Sequence, residues 1–387
     1  MKTSQSSARL RTAAVHAGEG RDASHGSIAM PLYQSSTYEL GEDLEFDDIR
    51  YVRLNNTPNQ QAVSRKLAAL ESCEAGLVTP SGAAAVSMAL LAHLERGDHV
   101  IAQEGVYGGT RKLLDSLEAT HGIRVTYVAG DDVEAWEQAR TEKTRVLYVE
   151  SLTNPCLDIA ALDEAVAFAR RHRLVSIIDN TFPTPINLRP AELGFDVVVH
   201  SASKSLNGHS DVVAGAIVGA QGPIERVRRF MNRMGVCLDP RACYLLMRGL
   251  KTLPLRMQAQ NANGLALAKH LSLREDVERV RYPGLEGDPA YPAARRWFSG
   301  FGGVVTFTPK GGLARAQAIL EKLRLPRIAP SLGGVETLIC RPANTSHAGL
   351  PAATRESLGV TDAMIRVSLG IEAIEDLIED FDQALAT

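Results

Sequence analysis

The sequence predicts an α/β protein: a mostly parallel sheet of seven strands, followed by a smaller α+β unit. Two observations carry that reading. From residue 59 onward, helical segments alternate with short apolar, β-branched runs, the rhythm of parallel strands joined by crossovers. After Pro240 the texture changes to long helical stretches and then isolated short strands. At 387 residues the chain is long enough to bury one large core and a smaller second one.

Residues 1–55 are polar and rich in turn formers, with Gly18, Gly20, Gly26 and Gly41 and the acidic run from Glu42 to Asp48. They read as an irregular N-terminal arm resting on something else, such as a neighbouring subunit. The larger unit, 56–249, opens with a helix over 60–71, a strand over 76–79 and a helix over 82–94. Strands follow over 99–103, 124–128 and 145–150, separated by helical stretches. The runs 174–179, 195–201 and 212–219 are short and apolar enough to be buried strands, and complete the sheet. The unit 250–387 takes helices near 241–251 and 257–271 and strands over 303–308 and 364–368.

Composition excludes several classes. Hydrophobic residues make up 45 %, charged residues 22 %, and the net charge is −3, so neither nucleic acid nor an anionic membrane is an expected partner. The longest apolar stretches, such as 83–94, break before they could span a bilayer, and no signal-peptide apolar region opens the chain; a cytoplasmic enzyme is the expectation. Cys73, Cys156, Cys237, Cys243 and Cys340 form no CxxC pair and have no His at ligand spacing, so no disulfide framework and no metal are expected.

The chemistry concentrates at strand ends. Asp179 ends one apolar run, and twenty-five residues later Ser201-Ala202-Ser203-Lys204 follows the next. Both fall at the carboxyl ends of parallel strands, where open α/β sheets bind ligands. An isolated Asp or Lys is usually a cap or a solvated loop residue. This pair, so placed, fits an Asp that keeps a pyridine nitrogen protonated and a Lys that forms an imine with the aldehyde of pyridoxal 5′-phosphate. Ser81-Gly82-Ala83 closes the first strand-to-helix turn, and the free N–H groups of the helix it opens suit a phosphate. A dinucleotide fails here, because Gly82 is followed by Ala83, Ala84 and Ala85 rather than by a glycine fingerprint.

Read with Tyr51-Val52-Arg53, Val106-Tyr107-Gly108-Gly109-Thr110, Glu150-Ser151-Leu152-Thr153-Asn154-Pro155, the block 206–215 and Ser331-Leu332-Gly333-Gly334-Val335-Glu336, these residues resemble the Cys/Met-metabolism family of pyridoxal-phosphate enzymes. The resemblance runs from about residue 12 to the C-terminus and is nearest to the cystathionine γ-synthase and γ-lyase members. It implies an aspartate-aminotransferase-like, fold type I architecture and a homotetramer built as a dimer of dimers. It also implies roles: Lys204 as the imine lysine, Asp179 pairing the ring nitrogen, Tyr107 stacking on the ring and serving as an acid. Ser81, Gly82, Ala83, Ser201 and Ser203 would hold the phosphate, with Tyr51 and Arg53 reaching that of a neighbouring subunit. Arg366 would grip the substrate α-carboxylate, assisted by Asn154 and Ser331, with Asn154 also beside the cofactor.

The implied reaction is γ-elimination or γ-replacement on a sulfur-containing or other γ-substituted amino acid, with β-elimination, encouraged by Gly82 to Val86, as the alternative. A non-catalytic cofactor-binding paralogue is the third reading, opposed by the intact Lys204, Asp179, Tyr107 and Arg366. The distal pocket departs from the family: Arg50 stands where many members are acidic, Lys112 where they often have arginine, and Pro330 where they have glutamate. Asn55-Asn56-Thr57-Pro58 departs from the usual Asn-Pro-Thr order. Gly109 stands where methionine γ-lyases typically carry cysteine.

Overall fold

The structure is a computed structural model that describes residues 3–40 and 49–386; Gly41 and the acidic run 42–48 lie outside the described residues. Strands β1 (Ala75–Thr79), β2 (His99–Gln103), β3 (Arg124–Val128), β4 (Thr144–Glu150), β5 (Val175–Asp179), β6 (Val197–Ser201) and β7 (Gly215–Gly219) form one sheet. Their order is β1-β7-β6-β5-β4-β2-β3. Strands β2 to β6 pair in parallel. The sheet is mostly parallel, as expected, with the exception of β7, which runs antiparallel to both β6 and β1. The reason lies in the connection: residues 202–214 contain no helix, and a parallel return needs a crossover that this segment does not make.

Alternation along the strands assigns the two faces. In β4, Val146 and Tyr148 enter one buried cluster, while Leu147 and Val149 enter the other. With both faces covered, the polar groups that end β4, β5 and β6 are left at one edge of the sheet, Glu150 and Asp179 side by side in register.

The arm is less irregular than its composition predicts. Residues Thr3–His16 form helix α1. Its last turn is held by Lys66 of α2 (Pro58–Leu70), whose Nζ donates to the carbonyls of Ala14 at 2.8 Å and Val15 at 3.0 Å. Those carbonyls have no partner within α1, so a buried cation there satisfies both the orphan acceptors and the negative end of the helix. Glu19 then pairs Lys66 at 2.8 Å and Lys251 at 2.8 Å. Helix α2 itself starts at a capping box between Thr57 and Gln60, with Pro58 in its first turn.

The second sheet has five strands in the order β10-β11-β12-β9-β8, namely β8 (Val277–Arg281), β9 (Val304–Pro309), β10 (Arg327–Ile328), β11 (Leu338–Cys340) and β12 (Ile365–Ser368). The strands β8, β10 and β11 have no counterpart among the predicted elements, since β8 alternates charged residues with valines and the other two span only 2 and 3 residues. Helices Leu253–Ser272 and Ile374–Leu385 pack on this sheet through Leu267, Leu271, Leu377 and Phe381. No described helix is long and apolar enough to cross a membrane.

Candidate active site

Helix α3 (Gly82–Leu91) follows β1 at the carboxyl edge of the sheet. The Ser81 hydroxyl caps it by accepting from Ala84 N at 3.0 Å, which leaves the N–H groups of Gly82 and Ala83 without intrahelical partners. Gly82 lies against Ser201: a Cβ built there would sit 2.7 Å from Ser201 Cβ and 2.8 Å from its Oγ. Only glycine allows the helix start and the Ser201 hydroxyl to come this close, and together they form a cradle of donors at a positive helix end.

Lys204 lies on the turn after β6. Its backbone N donates to Ser201 O at 3.2 Å, and Gly208 N donates to its carbonyl at 2.8 Å. The Ser203 hydroxyl donates to Ala214 O at 3.1 Å and accepts from Ala214 N at 2.9 Å. These two bonds brace the lysine turn against the start of β7. Lys204 Nζ donates to Ser331 Oγ at 2.8 Å. Burial, and then the Arg366 charge, bring the Lys204 amine down to about 8.

Asp179 ends β5 with Oδ1 accepting from Thr181 N at 2.9 Å and from Thr181 Oγ1 at 2.5 Å. Burial raises its pKa, while the two Thr181 bonds and His200 act in the opposite direction. Thr181 also ties the strands together, accepting from Ser201 N at 2.8 Å through the same Oγ1. Thr181 was absent from the sequence reading, although an Asp followed two residues later by a donor is the local pattern of an Asx turn.

Arg366 comes from β12 of the second sheet and is 2 % exposed. Its Nη1 donates to Asn154 Oδ1 at 2.9 Å, and its Nη2 to Ser331 O at 2.9 Å and Pro330 O at 3.2 Å. Its Nε is buried with no partner. A buried guanidinium with an unused donor and only neutral acceptors around it is a seat for a carboxylate. Ser331 joins the two cations: its hydroxyl accepts from Lys204 and its carbonyl from Arg366.

Tyr107 precedes helix α4 (Gly108–His121) and is 46 % exposed. Its ring lies over Gly109, where a Cβ would fall 2.4 Å from Tyr107 Cε1. Its backbone N donates to Glu150 Oε1 at 2.7 Å. Glu150 was not among the predicted site residues, yet it ends an apolar strand in the same manner as Asp179, and that signal was available.

The remaining candidates are not gathered into this cluster. Arg50 is exposed and lies 5.6 Å from the Tyr38 ring centroid on its own arm. Arg53 donates to Asn232 O at 2.9 Å and lies 5.5 Å from the Tyr51 ring centroid. Lys112 is exposed on α4, its Nζ 2.3 Å from where a Cβ on Gly349 would be.

The lysine follows the end of β6, the strand-end Asp closes β5, the donor cradle follows β1, and the buried arginine sits on β12 of the second sheet. The chain belongs to the Cys/Met-metabolism PLP-dependent enzyme family, which matches residues 11–386. It is 40 % identical over 378 residues to a cystathionine γ-lyase of Bacillus subtilis, covering 97 % of this chain and 99 % of that one. It is 39 % identical over 379 residues to a cystathionine β-lyase of Coxiella burnetii, covering 97 % of each. Among solved structures, cystathionine γ-synthase of Xanthomonas oryzae pv. oryzae in complex with aminoacrylate and cysteine superposes with a TM-score of 0.94 at 32 % identity, covering 97 % of both chains.

Proposed function

We propose that this protein carries pyridoxal 5′-phosphate on Lys204 and catalyses γ-elimination or γ-replacement on a sulfur-containing or other γ-substituted amino acid. The observation that carries the reading is the bridge through Ser331, which sets a half-buried amine beside a guanidinium with a free donor. Ser201 with the N–H groups of Gly82 and Ala83 fits the phosphate, and Asp179, braced by Thr181, fits a protonated ring nitrogen. When bound, pyridoxal phosphate supplies an electron sink for charge that develops at the substrate Cα.

The chain's residues do the rest. Arg366 and Asn154 bind the α-carboxylate and thereby fix which Cα–H bond faces Lys204. Lys204 Nζ, whose lowered pKa leaves it partly neutral near pH 8, takes the proton from Cα and, for γ-chemistry, a second from Cβ. Ser331 Oγ holds that amine in place between transfers. Tyr107 Oη gives a proton to the departing γ-substituent.

Arg50, Lys112 and Pro330 depart from the family pattern, and a γ-substituent smaller than or charged differently from that of cystathionine fits those departures, although Arg50 and Lys112 lie outside the cluster in the single chain. The working unit is a homotetramer in the cytoplasm, in which Tyr51 and Arg53 serve a neighbour's phosphate. The exposed arm supports this, with Ile28 99 % and Leu40 68 % accessible in the single chain. β-Elimination is the second reading, favoured by the 39 % identity to a cystathionine β-lyase. The test is product analysis: 2-oxobutanoate or a new thioether supports γ-chemistry, and pyruvate alone supports β-elimination.

A further inference from the structure

Tyr107 stands at the N-cap of α4 with no side-chain cap of its own, and the helix opens Gly108-Gly109-Thr110. Two glycines leave that backbone free to move, and the third helical residue is a threonine, too short to reach back to the N-cap amide as a capping-box glutamate does. The missing acceptor comes from another strand. Glu150 Oε1, at the end of β4, accepts the Tyr107 N–H at 2.7 Å. Glu150 is itself held, its backbone N donating to Gln103 Oε1 of β2 at 2.8 Å. The end of β2 and the turn that carries Tyr107 are thus both tied to Glu150, the first at its backbone N–H and the second at its buried carboxyl.

That carboxyl lies beside another. Glu150 and Asp179 are register partners on adjacent parallel strands, Glu150 buried and Asp179 half-buried, and Tyr148 lies on the same face of β4 as Glu150. Two carboxylates on neighbouring strand ends disfavour each other's ionisation. Asp179 has two Thr181 donors and His200 to favour its charge, whereas Glu150 has one backbone amide. Burial first, and then the Asp179 charge, push Glu150 well above the ordinary carboxyl range.

We propose that Glu150 is a positioning residue that holds Tyr107 over the site by accepting its backbone N–H. The inference rests on the reading of Tyr107 as the residue that faces cofactor and substrate. Glu150 touches neither; it acts through the tyrosine.

The test begins with cofactor-free protein and amide hydrogen exchange over residues 104–112. Glu150→Ala should speed exchange of the Tyr107 amide by about 10-fold or more, and Glu150→Gln should leave it protected. In the loaded enzyme, Glu150→Ala should lower kcat/KM by about 100-fold and Glu150→Gln should restore it. Equal protection in Glu150→Ala would overturn the proposal, and so would a Glu150→Gln protein as impaired as Glu150→Ala, because glutamine keeps an acceptor oxygen. If Glu150→Ala does not fold, the glutamine variant alone decides. An unsubstituted protein inert toward every amino acid would sink the proposed function, while the exchange result would still decide the role of Glu150.

Discussion

Lys204 Nζ and Ser331 Oγ meet at 2.8 Å across 127 positions of sequence, joining the turn after β6 to the loop before β11. Because the Ser331 carbonyl also accepts from Arg366 at 2.9 Å, one residue fixes the distance between the amine proposed to move protons and the cation proposed to orient substrate. Ser331→Ala keeps the carbonyl and removes only the hydroxyl. The variant should fold normally and bind substrate with little change in KM, while kcat falls by about 10-fold or more, as for loss of one hydrogen bond to a charged group. Steady-state kinetics with thermal unfolding as the control checks this.

Lys204 also sets a pH dependence of the cofactor-free protein. Its folded-state value of about 8 lies below the ordinary 10.5. Below the folded value both states hold the proton, and the buried charge costs its full stability penalty. Between the two values the unfolded chain binds more protons, so stability rises with pH; above both the penalty is gone. Cofactor-free Lys204→Met should therefore be more stable than the unsubstituted protein at pH 7, and the advantage should vanish by about pH 10.5, read as thermal midpoints across that range.

Gly109 is needed for room, not for a special backbone angle. An added Cβ there would fall 2.4 Å from Tyr107 Cε1, so a side chain requires the half-exposed ring to shift. Gly109→Ala should displace the ring and lower kcat by about 10- to 100-fold without loss of folding. A crystal structure of the variant would show the tyrosine moved.

Arg366 is a buried cation whose recorded partners, Asn154 Oδ1 and the carbonyls of Pro330 and Ser331, are all neutral. Such a group serves binding at the expense of stability. Arg366→Met should keep or raise the thermal midpoint of the cofactor-free protein, while kcat/KM falls by about 100-fold, mostly through KM. A variant with a lowered thermal midpoint and an unchanged kcat/KM would reverse this assignment.

Much of this was legible in the chain. Lys204 and Asp179 declare themselves because polar groups that end buried strands are few and fall on one edge of a parallel sheet. The direction of β7 was not legible, since an apolar run such as Gly215–Gly219 reads the same whichever way it pairs. Helix α1 was hidden because Thr3–His16 is polar and Ser-rich, and its C-terminal capping cation, Lys66, is fifty residues away. The service of Glu150 to Tyr107 is a side chain meeting a backbone amide 43 positions distant, a contact that no periodicity encodes. The contact of the Ser203 hydroxyl with the Ala214 backbone, eleven positions on, is likewise visible only in the coordinates.

Mass spectrometry of products tests γ-chemistry at Lys204 most directly. Purified holoprotein would be incubated with cystathionine, homocysteine, methionine, O-acyl-homoserines with and without cysteine, and other γ-heteroatom amino acids, with Lys204→Ala as the control. The expected result is 2-oxobutanoate or a new thioether from at least one substrate, abolished by the substitution. Pyruvate as the sole oxo acid, or turnover that survives Lys204→Ala, would contradict it.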